Sequence, residues 1–324
     1  MKVFLNQALP EAGMELLRKA QLEILLPEQE ALSRADWINY CQQADVVVGL
    51  AAKGFDAAFF EQCPKVKAIA LFSVGYDQVD IAAATQRNIP VSNTPDVLSR
   101  ATSDVAFLLM QSVARLAAFN FERVKTGNWP QQFNPTAHLG QELYGKTLGI
   151  FGLGRIGFEM ARKCKAAFDM KIIYHNRSPK PELEGELDAT YVSFEALLER
   201  SDVLSLHANY TEASKDLFGA DVFRKMKRNA ILINTARGGF VHEADLYRAL
   251  VEGVIWGAGL DVSSPEPMLR DNPLPGLQNV CVLPHIGSAT VAARDGMARL
   301  VAENVIAFAK GERMPTVVNA EVYI

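Results

Sequence analysis

Two doubly wound α/β domains with parallel sheets are the architecture that this 324-residue sequence predicts. Three observations point there. Short apolar runs of strand length alternate with helical patterns almost throughout. The alternation stops at a long polar, proline-bearing segment, 128–145, and starts afresh beyond it. A chain of this length is also long enough for two domains, each burying a core of its own.

In the first series, "KVFLN" (2–6), "EILLP" (23–27), "VVVGL" (46–50) and "AIALF" (68–72) are apolar runs suited to strands buried on both faces. Helix-like stretches such as "EAGMELLRKA" and "FDAAFFEQC" lie between them, which makes the strands parallel. The stretch "LSRATSDVAFLLMQSVARLAAFNFERVKTG" (98–127) reads as one long helix, stopped by Gly127 and Trp129-Pro130. The segment after it is too long for an ordinary connection and predicts an arm that packs on a second subunit. The second series runs "TLGIFG" (147–152), "KIIYH" (171–175), "VLSLH" (203–207), "AILINT" (230–235), "WGAGLDV" (256–262) and "VCVLPH" (280–285). The last helical pattern, from Ala289 to Gly311, returns to the first domain, because the second series is complete at His285. The expected domains are therefore 1–99 with 289–324, and 100–288.

Composition narrows the classes. Hydrophobic residues at 49% and charged residues at 22% are ordinary for a soluble globular protein. The 33 basic and 37 acidic residues are dispersed, with no basic block to suit nucleic acid. Cys41, Cys63, Cys164 and Cys281 form no CxxC pair, so neither a disulfide framework nor a metal site is expected. The N-terminus lacks a signal-peptide pattern and no apolar run reaches membrane-spanning length. A cytoplasmic location follows as an expectation.

"IFGLGRIGFEMARKCKAAF" places Gly152, Gly154 and Gly157 in GxGxxG spacing between a strand and a helix. The first permits a tight turn, the second lets backbone approach a pyrophosphate, and the third lets the helix pack on the strand. Exposed N–H groups and the helix dipole favour phosphate charge there. A carboxylate about 20 residues on would hold ribose hydroxyls. The sequence instead reads "HNRS", with Asn176, Arg177 and Ser178. An arginine and a hydroxyl suit a 2′-phosphate, which favours NADP(H) over NAD(H) and over S-adenosylmethionine.

Reduction of a 2-keto acid needs a cation for the carboxylate, an acid for the new alkoxide, and a group that tunes the acid. Arg237 ends a strand in "LINTARGGFVHEADL", and a guanidinium can grip a carboxylate with two hydrogen bonds. His285 follows the last apolar run, and imidazole titrates near neutrality. His138, His175, His207 and His242 are weaker candidates from their positions. Glu266 sits between Pro265 and Pro267, which stiffen its backbone, and a nearby carboxylate orients an imidazole.

In order, the glycine turn, Arg237, Glu266 and His285 resemble the D-isomer-specific 2-hydroxyacid dehydrogenase family. "SVGYDQVD" (73–80), "NTPDVLSRATSDVAFLLM" (93–110), "GKTLGIFGLGRIG" (145–157), "GAGLDVSSPEP" (257–267) and "LPHIGSAT" (283–290) extend the resemblance over nearly the whole chain. It implies a Rossmann-like cofactor domain inserted in a flavodoxin-like substrate domain, and a homodimer through the cofactor domain. It also implies that Arg237 binds substrate, His285 exchanges the proton, Glu266 tunes His285, and the Val74-Gly75 backbone receives the carboxylate. Arg155, Ile156, Thr211, Thr235, Ala236, Asp261 and Gly287 join the cofactor residues on the same ground. Within the family, the motifs look most like glyoxylate/hydroxypyruvate reductases. Tyr210 departs from the usual Leu of that pattern, and Glu266 replaces the Gln of formate dehydrogenases. "GLAAKGFD" (49–56) is expected to line the substrate pocket. Reduction of 2-ketogluconate is an alternative within the class; a dinucleotide-sensing corepressor-like binding protein is the alternative outside it.

Overall fold

The structure, a computed structural model, describes residues 1–29, 31–50 and 54–324. The chain divides into two compact units, Met1–Leu98 with Ala289–Ile324, and Ser99–Ser288.

The first unit carries strands β1 (Lys2–Leu5), β2 (Glu23–Leu25), β3 (Val46–Gly49), β4 (Ala68–Leu71) and β5 (Val91–Ser92). They are joined through helices α1 (Glu11–Lys19), α2 (Arg34–Cys41), α3 (Ala57–Gln62) and α4 (Ile81–Gln86). Every pairing in the sheet is parallel, and the order is β2-β1-β3-β4-β5. That is the order of flavodoxin-like sheets. Strand residues alternate between two buried faces. Phe4, Val47, Ile69 and Val91 pack with Trp37, Phe59 and Phe60, while Val3, Leu5, Val46, Val48 and Ala68 pack with Met14 and Leu17. Each such side chain, fully buried, is worth about 1.5–3 kcal/mol, so both apolar faces drive the same register. Cys41 and Cys63, far apart in sequence, share a hydrogen bond in this core.

The second unit begins with α5 (Ser99–Ala114) and α6 (Ala117–Lys125). Here the single helix expected over 98–127 is corrected to two. Leu116 adopts the left-handed region with φ +53° and is buried, which ends the first helix. The freed carbonyl of Ala114 accepts the N–H of Gln141 at 2.7 Å, so the returning arm takes the place of the next helical turn. Residues 128–145 form no helix or strand and expose Trp129, Phe133, Leu139 and Tyr144.

Beyond the arm come β6 (Thr147–Phe151), α7 (Arg155–Phe168), β7 (Lys171–His175), α8 (Pro181–Leu187), β8 (Ala189–Tyr191) and α9 (Phe194–Arg200). They are followed by β9 (Val203–Leu206), α10 (Ala220–Lys225), β10 (Ile231–Asn234), α11 (Glu243–Val251), β11 (Gly257–Leu260) and β12 (Val280–Val282). The parallel sheet runs β12-β11-β10-β9-β6-β7-β8. Counted from β6, this is the 3-2-1-4-5-6 Rossmann order with one further strand. The short β8 is an edge strand that the apolar runs did not disclose. One face packs on α5 and α7 through Leu109, Val113, Met160 and Ala161. The other packs on α9, α10 and α11 through Leu197, Phe223 and Leu246.

The chain then returns to the first unit as α12 (Val291–Ala309), whose Ala298, Val301, Ala302 and Val305 complete the face lined by Met14 and Leu17. Thr290 caps its N-terminus by accepting the Ala293 N–H at 3.1 Å. Among the described residues, no helix is long and apolar enough to cross a membrane.

Candidate active site

In a doubly wound sheet, functional loops leave the C-terminal ends of the strands. The second unit presents two groups of such loops, one after β6, β7 and β9 and one after β10, β11 and β12.

The glycine turn belongs to the first group, at the point where the strand order reverses between β6 and β9. Gly152 has φ +99°, and a Cβ there would lie 2.4 Å from the Ala208 backbone nitrogen. Only glycine fits that close approach. A Cβ on Gly157 would meet the Gly152 oxygen at 2.6 Å, whereas one on Gly154 would meet open space. No side chain caps the N-terminus of α7, which starts at Arg155 and Ile156. An uncapped 14-residue helix behind a glycine turn fits a pyrophosphate.

The "HNRS" stretch leaves β7 next to this turn. Asn176 is clasped to it: its Oδ1 accepts the Leu153 N–H at 2.6 Å, and its Nδ2 donates to the Leu153 oxygen at 3.2 Å. The Tyr191 hydroxyl donates to the Asn176 carbonyl at 3.1 Å. Farther along, the buried Tyr174 hydroxyl accepts the Lys180 N–H and donates to Glu184, both at 2.6 Å. Burial, with the Glu184 hydrogen bond, pushes the Tyr174 pKa up to about 12, so it stays a neutral donor. Arg177 and Ser178 stand exposed between these two anchors, and their side chains bond to no described residue. Asn176 thus shapes the loop with its amide, while the next two residues face outward.

His207 follows β9 under the turn, its Nε2 2.8 Å from the Ser205 hydroxyl. Burial of the ring holds its pKa down at about 3, so it is uncharged near neutrality. His175 is stacked between Phe151 and Tyr191, with Nδ1 2.9 Å from the Val192 oxygen. Thr211 caps the short 3-10 turn Glu212–Ser214. Tyr210, the departure from Leu, packs edge-on against Phe240 at 5.4 Å between ring centroids.

The second group of loops brings three predicted residues together. Arg237 lies just beyond β10, Glu266 follows β11, and His285 follows β12; the three strands are neighbours. His285 Nδ1 is hydrogen-bonded to Glu266 Oε1. Both side chains keep nearly half their surface, at 46% and 42%, so the pair is accessible to a ligand. Burial would raise the Glu266 carboxyl, but its hydrogen bond to His285, the His285 charge, the Ser263 N–H and the Arg237 guanidinium together bring it below the usual range. The peptide bonds preceding the two prolines that flank Glu266, Ser264–Pro265 and Glu266–Pro267, are both cis. Arg237 Nη1 donates to the Ala236 carbonyl at 2.7 Å.

Three further residues fix these side chains; Asn234 and Glu243 did not stand out from sequence, and Asp261 was expected there only as a cofactor residue. Asp261, almost wholly buried, accepts the N–H groups of Ile286 and Gly287, each at 2.8 Å. Burial raises its pKa, partly offset by those two N–H groups and by His285. The turn it holds places His285 in the left-handed region, φ +53°. Asp261 and Gly287, expected at the cofactor, therefore hold each other directly. Asn234 does the same for Arg237, accepting the Ala236 N–H at 3.0 Å and donating to the Arg237 carbonyl at 2.9 Å. Glu243 steadies the loop before Glu266 by accepting the Ser264 N–H at 2.7 Å. Thr235 leaves a buried hydroxyl with no partner among the described residues, the kind of orphan that a ligand satisfies.

In the first unit, Val74 and Gly75 follow β4 in a half-buried loop. The stretch 49–56, expected to line the substrate pocket, falls partly outside the described residues, at 51–53.

Similarity to known proteins gives the family. The profile described as "D-isomer specific 2-hydroxyacid dehydrogenase, NAD binding domain" matches residues 107–287. The chain is 46% identical to a glyoxylate reductase of Thermococcus litoralis over 324 residues, covering 99% of this chain and 97% of that protein. Among solved structures, it resembles an NADPH-dependent glyoxylate/hydroxypyruvate reductase of Sinorhizobium meliloti in complex with NADP and malonate. That match has 32% identity and a TM-score of 0.83 over 98% of this chain and 96% of the other. It also resembles a D-lactate dehydrogenase of Lactobacillus jensenii with NAD+, at 28% identity and a TM-score of 0.76 over 98% and 99% of the two chains. By these matches and by its own fold, the chain belongs to the D-isomer specific 2-hydroxyacid dehydrogenase family.

Proposed function

We propose that this protein reduces small 2-keto acids, glyoxylate and hydroxypyruvate first, to 2-hydroxy acids with NADPH, giving the D isomer where the product is chiral. The observation that carries the reading is the accessible His285–Glu266 pair beside Arg237 at the tips of three adjacent strands. Resemblance to glyoxylate reductases supports the substrate class. The turn Gly152–Gly157, the N-terminus of α7, Thr211, Thr235, Ala236, Asp261 and Gly287 are assigned to the dinucleotide. The exposed Arg177 and Ser178, held outward by Asn176, are assigned to a 2′-phosphate, which is the ground for NADPH over NADH. When bound, the reduced nicotinamide supplies a hydride to the ketone carbon.

The chain's own residues do the rest. Arg237 and the Val74-Gly75 backbone hold the substrate carboxylate and so select the face that reacts. His285 gives its proton to the oxygen as it becomes an alkoxide, and Glu266 keeps the ring turned toward that oxygen while stabilising its cationic form. In the proposed organisation, residues 1–99 with 289–324 serve the substrate and 100–288 the cofactor, in a cytoplasmic homodimer. The exposed Trp129, Phe133 and Tyr144 of the 128–145 arm support a self-association surface.

Incubation with hydroxypyruvate and NADPH, followed by chiral resolution of the product, tests the reading. D-glycerate is expected. L-glycerate would overturn it, and tight NADPH binding without reduction of any 2-keto acid would favour the corepressor-like alternative.

A further inference from the structure

We propose that Asn93 is a positioning residue that turns the amide N–H groups of the 74–76 loop toward the substrate carboxylate, and that Thr316 and Asn304 hold Asn93 in place. The inference rests on the function proposed above, in which the Val74-Gly75 backbone receives that carboxylate.

The loop Ser73–Tyr76 leaves the C-terminal end of β4 and is half-buried. The N–H groups of Val74, Gly75 and Tyr76 have no acceptor among the described residues. Adjacent backbone donors left open in this way form a concavity suited to an anion. Their directions are set by the carbonyls of the same peptide units, because C=O and N–H point opposite ways across a trans bond.

Asn93 Nδ2 donates to the Val74 carbonyl at 2.8 Å, which turns the Gly75 N–H away from Asn93. The Ser73 hydroxyl donates to the Gly75 carbonyl at 2.7 Å and fixes the next unit, with its Tyr76 N–H, in the same manner. Both carbonyls that would repel a carboxylate are thereby engaged by the protein. A free loop could present either end of each peptide unit; this one is committed.

Asn93 is itself restrained by the end of the chain. Its N–H donates to the Thr316 carbonyl at 3.3 Å, and the Thr316 hydroxyl donates to the Asn93 carbonyl at 2.6 Å. The fully buried Asn304 of α12 accepts the Thr316 N–H at 3.0 Å and donates to the Thr316 hydroxyl at 2.8 Å and to the Leu300 carbonyl at 2.7 Å. A hydrogen-bonded chain thus runs from the last helix through Thr316 and Asn93 to Val74. Its members are polar groups in low-dielectric surroundings, where satisfied networks specify geometry.

The test compares kcat/KM for glyoxylate with that for its methyl ester at saturating NADPH. The ester keeps the reacting carbonyl and loses the anion. Asn93→Ala should lower the acid-to-ester ratio about tenfold, mainly through a higher KM for the acid, the size expected for one lost charge-assisted hydrogen bond. The Kd for NADPH measured by calorimetry should stay within about twofold, since a general loss of structure would move it as well. Thr316→Val should show a smaller fall in the ratio and Thr316→Ser should restore it, which keeps the inference decidable if Asn93→Ala does not fold. A ratio unchanged in both Asn93→Ala and Thr316→Val overturns the positioning role. A parent protein that prefers the acid no more than the ester overturns the carboxylate assignment, and the positioning role with it.

Discussion

The loops after β10, β11 and β12 and the loop after β4 present polar groups by opposite means. In the first, side chains are on display and other side chains hold them: Glu266 bonds His285, Asp261 pins the turn beneath it, and Asn234 shapes the turn that carries Arg237. In the second, the backbone is on display, and Asn93 and Ser73 fix it by taking its carbonyls. The difference teaches where substitutions should act. Removing a displayed side chain removes a chemical group, whereas removing a brace alters the aim of a group that is still present. The glycine turn combines the two, since Asn176 braces backbone with its amide while Arg177 and Ser178 stand outward.

The comparison predicts a graded series. His285→Gln should lower kcat by roughly 10²–10⁴-fold, the usual contribution of a general acid, and leave the Kd for NADPH nearly unchanged. Steady-state kinetics with calorimetry checks both, and unchanged turnover would remove His285 from the proton transfer. Arg237→Lys should follow, with kcat/KM for glyoxylate reduced about 10–100-fold, because an ammonium cannot make paired hydrogen bonds to a carboxylate. Arg177→Asp should move the NADPH/NADH preference toward NADH by about tenfold or more through like-charge repulsion of the 2′-phosphate, and dissociation constants for both dinucleotides measure it. An unaltered preference would detach Arg177 from cofactor choice.

The smallest effect concerns His207 and pH. Its folded pKa, about 3, lies below the ordinary 6.5. The unfolded chain therefore takes up a proton first as pH falls, and stability is lost progressively below pH 6.5. His207→Gln lacks this term. Thermal unfolding of both proteins should show the parent losing more stability than the variant between neutral and mildly acid pH. Parallel losses would mean that His207 does not contribute.

Much of this arrangement was legible in the sequence, for identifiable reasons. The two sheets were readable because buried parallel strands need unbroken apolar runs such as "VVVGL" and "AILINT". Arg237, Glu266 and His285 were readable because their chemistry resides in their own side chains, inside a resemblance of ordered motifs. Asn93 and Asn304 were not, and Asp261 was named only for the cofactor and not as a brace for the His285 turn, because each acts on a partner brought close only by folding: Asn93 meets Thr316 across 223 positions. The break at Leu116 was hidden for a related reason. Local periodicity favours one helix, and the competing acceptor contact comes from Gln141 in the arm. The edge strand β8, only three residues long, offers too little pattern to separate it from a loop.

The central claim joins an NADPH-directed cofactor site to a keto acid reductase. The most direct test is the ratio of kcat/KM for glyoxylate with NADPH to that with NADH in the unmodified protein. A ratio above about 10, corresponding to one charge-assisted contact of roughly 1.4 kcal/mol, is predicted. A ratio of one or less, or no reduction with either dinucleotide, would contradict it.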